Sequence, residues 1–248
     1  MTELLVPARF RGPASSGNGG WTAGTLAGLV APDGTGPVEV TLRQPPQLEV
    51  SMPVTDGVAV AADGSVVAEA RIIDRDLDVV ESVPVEEASA AESAYAGLDA
   101  HPFPTCFACG TGREQGDGLR IFPGRVADDS LGRVRVAATW TPHPSQANDW
   151  HVHGSEPLHA SLAVAWAALD CVGGWAGDLE ERLMVLGRMT ARVDSLPAIG
   201  TTYVAVGGAR RSEGRKAFTT ATVYGPSGEV VGVAEHVWIA VDAAAFNG

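Results

Sequence analysis

Several small groups of residues in this chain have types and spacings that suit chemistry. Asn18-Gly19-Gly20 opens an uncharged stretch that runs to Val30. Glycines at a helix start expose backbone N–H groups, and the helix dipole adds positive character, so such a turn suits a developing negative charge. Asn18 is equally a plain N-cap. Trp21 and Thr22 follow directly and are placed to line a pocket. A second uncharged stretch, Leu158–Leu169, ends in Asp170, followed by Cys171, Val172 and the helix-stopping pair Gly173-Gly174. A carboxylate near a helix C-terminus is disfavoured by the dipole, so solvent, an arginine partner or a function must offset it. Glu156 falls at the start of the same stretch, where the dipole favours a carboxylate; it reads as a cap or as a general base.

Four of the six histidines, His143, His151, His153 and His159, lie close together just ahead of this second stretch. His151-x-His153-x-x-Glu156 has a spacing that suits a metal where a strand enters a helix. With no further ligand set evident, the plainer reading is a His-rich loop over a pocket mouth. Cys106-x-x-Cys109 is half a zinc site without a second pair, and His101 is the one candidate third ligand. The thioredoxin-like context that a redox role needs is missing. The preferred reading is a compact connector with packed thiols, and no metal or cofactor site is expected. Arg210 and Arg211, with Arg215 and Lys216, form the one basic cluster. It reads as a solvated hairpin or as a phosphate-binding group, since arginine matches phosphate bidentately.

The 248 residues carry 17 basic and 30 acidic side chains, a net charge of −13. Lys216 is the single lysine. Without a basic stripe, binding to nucleic acid or to an anionic membrane is not expected, because neutralising phosphates needs clustered positive charge. The acids concentrate in residues 74–100, where eight of them face one basic residue, Arg75. That segment reads as a solvated connector and an internal boundary. Pro84–Leu98 within it reads as an exposed helix, with Pro84 in its first turn and Glu86 and Glu87 at the positive dipole end. Three cysteines argue against a disulfide scaffold. The first eleven residues lack an apolar leader, and Leu158–Leu169 is too short to span a bilayer, so a cytoplasmic setting is expected.

What must position these residues is a weak internal repeat. Asp63-Gly-Ser-Val-Val-Ala-Glu-Ala70 and Ser227-Gly-Glu-Val-Val-Gly-Val-Ala234 are both a turn followed by Gly-x-Val-Val-small-x-Ala. Alternating, β-branched runs precede each motif: Val38–Leu42, Leu48–Val54 and Gly57–Ala61 in the first half, Leu186–Val193, Thr201–Gly207 and Arg215–Tyr224 in the second. Alternation of this kind marks half-buried strands. The uncharged stretches ahead of the runs are apolar all round and predict buried helices. Each unit is then a buried helix followed by an antiparallel meander.

This arrangement resembles a tandem, or double, hotdog protein of the acyl-CoA thioesterase-like superfamily, over residues 10–73 and 118–242. Asn18-Gly19-Gly20 is similar to the His-Gly-Gly helix opening of many single-hotdog thioesterases, with asparagine in place of histidine. Phe10-Arg11-Gly-Pro, His101-Pro-Phe-Pro-Thr-Cys-Phe-Ala-Cys-Gly110 and Gly116-Asp-Gly-Leu-Arg-Ile-Phe-Pro123 resemble an actinobacterial thioesterase-like group. The resemblance implies an α+β fold of two units, 1–73 and 118–248, joined by an acidic linker helix and Cys-x-x-Cys loop at 74–117. Each unit is a long antiparallel sheet wrapped around a central helix.

The resemblance further implies hydrolysis of an acyl-CoA thioester in a pocket between the halves. Asn18, Gly19, Glu156 and Asp170 would be catalytic. Gly20, Trp21, Thr22, His153, Trp166, Arg210 and Arg211 would bind substrate, the two arginines at the CoA phosphates. Superfamily enzymes often place an acidic residue nearer the middle of this helix than Asp170 is expected to lie. A non-catalytic acyl-CoA or lipid binder, and a hydratase or dehydratase using His153 and Glu156, are the alternatives. A homodimer is compatible with either.

Overall fold

Alternation decides the strands. In Val38–Leu42, Val38 and Val40 are buried, while Glu39 turns to the other face and pairs with Arg71 at 2.8 Å and Arg188 at 3.7 Å. A slip of one residue would bury Glu39, so the register is firmly set. The computed structural model of the chain describes residues 2–32, 34, 36–147 and 158–242. Its first part holds β1 (Thr2–Leu4), α1 (Gly19–Val30), β2 (Val38–Leu42), β3 (Met52–Thr55), β4 (Val58–Val60) and β5 (Val66–Ile72). Then come α2 (Val85–Ala91), β6 (Gly124–Val126), β7 (Arg135–Trp140) and α3 (Leu162–Ala176). The chain ends with β8 (Met184–Val193), β9 (Tyr203–Glu213), β10 (Lys216–Tyr224) and β11 (Val230–Ala240).

All these strands form one sheet among the described residues, in the order β1-β3-β4-β5-β2-β8-β11-β10-β9-β7-β6, and every ladder is antiparallel. The middle of the sheet is the β2–β8 ladder, with Val38 opposite Ala191 and Val40 opposite Met189. Outward from it the order is the same on both sides. The first strand after the helix is innermost, then the fourth, third and second. Bulges interrupt β10 against β9 at Phe218/Thr219 and β11 against β8 at Val237/Trp238. Such irregularities increase local twist and bend, and here they accompany a sheet that curls around α3. No helix among the described residues is long and apolar enough to cross a membrane.

The strand runs read from sequence coincide with β2 to β5 and β8 to β11, with shifted ends. β9 passes through Gly207 and continues to Glu213, held by its ladder with β10; at 207 only a glycine fits, since a Cβ would lie 2.1 Å from the Val172 carbonyl oxygen. β1, β6 and β7 were not foreseen.

Three expectations change. The second helix starts at Leu162, not Leu158, because His159 and Ala160 pair as isolated bridges with Ala198 and Ala147, and Ser161 caps the helix through Val164 N at 3.2 Å. It also runs through Gly173-Gly174 to Ala176, so Asp170 sits near its middle. The glycines do not stop the helix; they let the sheet approach it, since a Cβ on Gly173 would lie 2.5 Å from His236 Nδ1.

The acidic segment, thirdly, is not a free connector. Leu77, Val80 and Val83 are buried, and Val80, Val83, Ala88 and Ala91 pack with Val126, Ala137, Val204, Val206 and Tyr224 in a second apolar cluster. Val80 N donates to Thr222 Oγ1 at 3.0 Å, and Tyr224 OH donates to Val80 O. The acids lie between these anchors. Arg75 pairs with Glu235 at 2.6 Å, and Glu92 Oε1 accepts Thr139 N at 2.8 Å. The expected exposed helix shrinks to α2 and two 3-10 turns, with Ala88, Ala91 and Tyr95 buried. The segment is a strap across the outer face of the second half of the sheet.

α1 and α3 pack directly on each other, and glycine sets their approach. A Cβ on Gly20 would lie 2.4 Å from Asp170 Cβ, and one on Gly24 would lie 2.6 Å from Trp166 Cβ. One turn further on, a Cβ on Gly28 would only touch Leu162 Cδ2, at 3.4 Å. Gly24→Ala is therefore expected to destabilise the protein by about 1–3 kcal/mol through overpacking. Gly28→Ala is expected to stabilise it by about 0.5–1 kcal/mol, as alanine does in a helix interior with space for it. Urea unfolding of the two variants should move the midpoint in opposite directions.

Candidate active site

The first turn of α1 ends on a carboxylate. Asn18 caps α1 through its Oδ1, which accepts Trp21 N at 2.8 Å. Its Nδ2 donates to Asp170 Oδ2 at 3.0 Å, and Gly20 N donates to the same oxygen at 2.8 Å. Asn18 and Asp170 are both 2% exposed. Asp170 Oδ1 has no hydrogen-bond partner among the described residues. Burial pushes the Asp170 carboxyl up to about 7; the Gly20 and Asn18 donors pull it down, and negative charge on nearby Cys106 pushes it further up. A carboxyl that titrates near neutrality is suited to take and return a proton.

Beside it lie three thiols. Cys106 and Cys109 come from the loop after α2, and Cys171 follows Asp170 on α3. Their sulfurs all lie within 4.8 Å of one another, and Cys106 Sγ and Cys171 Sγ are 3.6 Å apart. All three are buried and unpaired by disulfides. Hydrogen bonds from Cys109 and then Cys171 draw the Cys106 thiol well down. Burial pushes Cys109 up, and donation to Cys106 pushes Cys171 up.

The loop is held from several sides. Tyr95 OH donates to Cys109 O at 3.1 Å, Phe107 N donates to Arg11 O at 2.8 Å, and Gly110 N closes a turn onto Cys106 O at 2.9 Å. His101, the third ligand considered from sequence, is occupied. Its Nε2 meets Cys109 O at 3.0 Å and its Nδ1 accepts Phe103 N at 2.9 Å. The third thiol is instead Cys171, which sequence reading passed over because it lies more than sixty residues away along the chain.

Both features border one cavity of about 240 Å³. Asn18, Gly19, Asp170 and the three cysteines form its polar side, and Leu42, Met184, Leu186 and Trp238 are among its apolar walls. Leu42 ends β2 and Leu186 lies on β8, so the cavity opens where the two halves of the sheet meet. Arg43 and Gln44 also line it and were not singled out from sequence.

The other sequence candidates fall elsewhere. Trp21 stacks on Phe10 with ring centroids 4.2 Å apart, and Thr22 Oγ1 donates to Asn18 O at 2.7 Å. Trp166 packs on Gly24. None of the three lines the cavity, because all are consumed in seating α1. Gly20 contributes through its N–H and not as wall. Arg210 and Arg211 line separate cavities, where Arg210 lies 3.6 Å from Asp78 and Arg211 pairs with Glu213 at 2.7 Å and covers the Phe218 ring. Neither lines the cavity beside Asp170, so these arginines do not join the carboxylate and thiols. Glu156, His151 and His153 lie outside the described residues. His143 and His159 are exposed, and His143 caps a 3-10 turn at Pro144–Gln146.

Comparison with solved structures places the fold. The chain is similar to a TesB protein from Mycobacterium avium subspecies paratuberculosis, at 14% identity and TM-score 0.55, over 96% of this chain and 91% of that one. It is similar in the same measure to a conserved protein of unknown function with a hot dog fold from Alicyclobacillus acidocaldarius, again at 14% identity, TM-score 0.55, and 96% and 91% coverage. A protein from Lactobacillus plantarum described as an oleoyl thioesterase matches at 12% identity and TM-score 0.52, over 97% and 96%. The chain thus has the hotdog fold along nearly its whole length. No protein-family model matches it, and no curated protein matches it in sequence.

Asp170 and a second buried group, packed on Gly173 of α3, oppose each other in acid. His236 is buried against Thr219, 3.2 Å from its Oγ1, and burial lowers it to about 4. Below its ordinary value the unfolded chain takes up a proton that native His236 refuses, so its contribution to stability rises with pH from about 4 to about 6.5. Asp170 has the reverse sign. From about 4 to about 7 the native carboxyl keeps a proton that the unfolded chain has released, so stability falls as pH rises. Asp170→Asn removes the falling contribution. Its stability relative to wild type should grow between pH 5 and pH 8, by at most about 1.4 kcal/mol per pH unit, and then level off. Urea unfolding across that range checks this; a difference independent of pH would contradict the raised carboxyl.

Proposed function

We propose that the chain is two hotdog units, 1–73 and 118–248, tied by the strap at 74–117, and that it hydrolyses an acyl-CoA thioester in the cavity where the units meet. The observation that carries this reading is the buried Asp170 carboxylate bordering the cavity, one oxygen held by the α1 N-terminus and the other unpartnered among the described residues. The described neighbours include a TesB protein and one described as an oleoyl thioesterase. That agrees with the reading at the level of fold.

In this mechanism the acyl chain lies along the apolar walls from β2 and β8. Gly19 N–H, at the positive end of α1 and facing the cavity, holds the thioester oxygen. Asp170 takes a proton from water as the water oxygen bonds to the carbonyl carbon. The C–S bond then breaks, and Asp170 returns the proton to the departing CoA thiolate. Asn18 is a positioning residue, since it orients both the helix start and the carboxylate. Among the described residues Arg43, which pairs with Glu69, is the cation that lines this cavity, and it would serve the phosphates of CoA.

A second reading has one observation in its favour. The carboxylate is almost completely buried and the walls are largely apolar, as a non-catalytic acyl-CoA or lipid binder would need.

The two separate in one assay. A panel of acyl-CoAs of different chain length is incubated with the protein and a thiol reagent, and the melting temperature is followed in parallel. Hydrolysis predicts CoA release whose kcat/KM rises with pH through about 7 and then levels off, as Asp170 ionises. Asp170→Asn should lower kcat by about 100-fold or more, the size of a general-base contribution. Stabilisation without release supports the binder. With neither, both readings fall.

A further inference from the structure

We propose that Cys106, Cys109 and Cys171 together bind a thiophilic divalent metal ion of the zinc class, with the fourth coordination position turned toward the cavity. The spacing already suits the ion. Zinc binds thiolate sulfur at about 2.3 Å, so two sulfurs of a tetrahedral site lie about 3.8 Å apart. Cys106 Sγ and Cys171 Sγ are 3.6 Å apart, and all three sulfurs lie within 4.8 Å of one another. Small side-chain rotations would centre them on an ion. A donor set of three thiolates selects soft ions over magnesium or calcium.

The surroundings are those of a fixed site. The three thiols come from two separately anchored pieces of chain, the Cys-x-x-Cys turn and the middle of α3. The turn is tight at Gly110, where a Cβ would meet both Cys106 O and Pro104 O at 2.5 Å. Asn18 Nδ2 points at two of the sulfurs, 3.7 Å from Cys106 Sγ and 3.9 Å from Cys171 Sγ. N–H groups around ligating sulfurs hold them in place and tune the ion. Three buried, mutually facing thiols with no disulfide are otherwise hard to account for by packing alone, since a small apolar residue would fill the same space without clustering ionisable groups.

The ligand count gives the site its character. His101 has both ring nitrogens engaged, and Asp170 is not among the groups within 4.8 Å of all three sulfurs. The described protein supplies three ligands, and all three cysteines line the cavity. Structural zinc sites are closed by four protein ligands, whereas sites with three keep a position for water or a bound molecule. The fourth ligand here would come from the cavity, as water or as a thiol or carboxylate of the molecule held there. Binding would release the remaining thiol protons to solvent.

The test needs no turnover, so its outcome is independent of whether the protein is a thioesterase. The full chain is purified under reductant without chelator and its metal content measured; about one equivalent of zinc per chain is expected. Metal is then removed and cobalt(II) added, which should give thiolate-to-cobalt charge-transfer bands and the visible bands of a tetrahedral ion. Cys106→Ser, Cys109→Ser and Cys171→Ser should each weaken binding at least 10-fold. Should these variants not fold, alkylation of the wild-type protein keeps the question decidable: zinc should shield all three thiols from iodoacetamide, and chelator should expose them. Absence of metal together with no cobalt spectrum in the reduced protein would overturn the proposal. So would a disulfide between any two of these cysteines in protein isolated anaerobically.

Discussion

The contact between the first turn of α1 and the middle of α3 is the constraint on which the site depends. Gly20 has no side chain, so the α1 backbone comes close enough for its N–H to reach Asp170 at 2.8 Å. That single approach sets three things together. It puts the positive end of a helix on a buried carboxylate, it brings Asn18 to the thiols, and it draws the β2 and β8 ends around one cavity. The charge of Asp170 would be costly in such a place without those donors. Its raised proton affinity is what remains of that cost.

The same geometry explains which signals sequence reading could use. The alternation of Val38, Glu39 and Val40 and the Asn18-Gly19-Gly20 helix start are local, so their elements were legible. So was the oddity of one acid in an uncharged stretch, Asp170. Its place in the helix is not legible, because Gly173-Gly174 looks like a stop until the sheet that needs those glycines is present. The link of Cys171 to Cys106 and Cys109 is not legible, because its partners lie in a distant loop and nothing in their spacing points across that gap. Arg210 and Arg211 were the reverse case. They are adjacent in sequence and basic, yet they pair with Asp78 and Glu213 and line other cavities than the one beside Asp170.

The acidic strap shows how charge density misleads when read without its apolar spacing. Residues 74–100 hold eight acids, yet Leu77, Val80, Val83, Ala88 and Ala91 between them are buried. The apolar positions anchor the strap on the sheet, its one base Arg75 pairs with Glu235 on β11, and Glu92 accepts from the backbone of β7. The strap then delivers the chain to the Cys-x-x-Cys turn at a fixed place, which is how a loop of weak secondary structure can meet α3 so closely.

The β2–β8 ladder carries a consequence for the chain as a whole. Val38 and Val40 on one side and Met189 and Ala191 on the other are covered because each strand completes the other. Cutting the protein within the strap would leave each fragment with a bare strand edge, open amide groups and an apolar face, the combination that templates intermolecular pairing. The fragment with α3 would also lose the donors that make its carboxylate tolerable in the interior. Neither piece is a smaller version of the protein. The seam joins the two halves in one continuous sheet, whatever symmetry their strand order suggests.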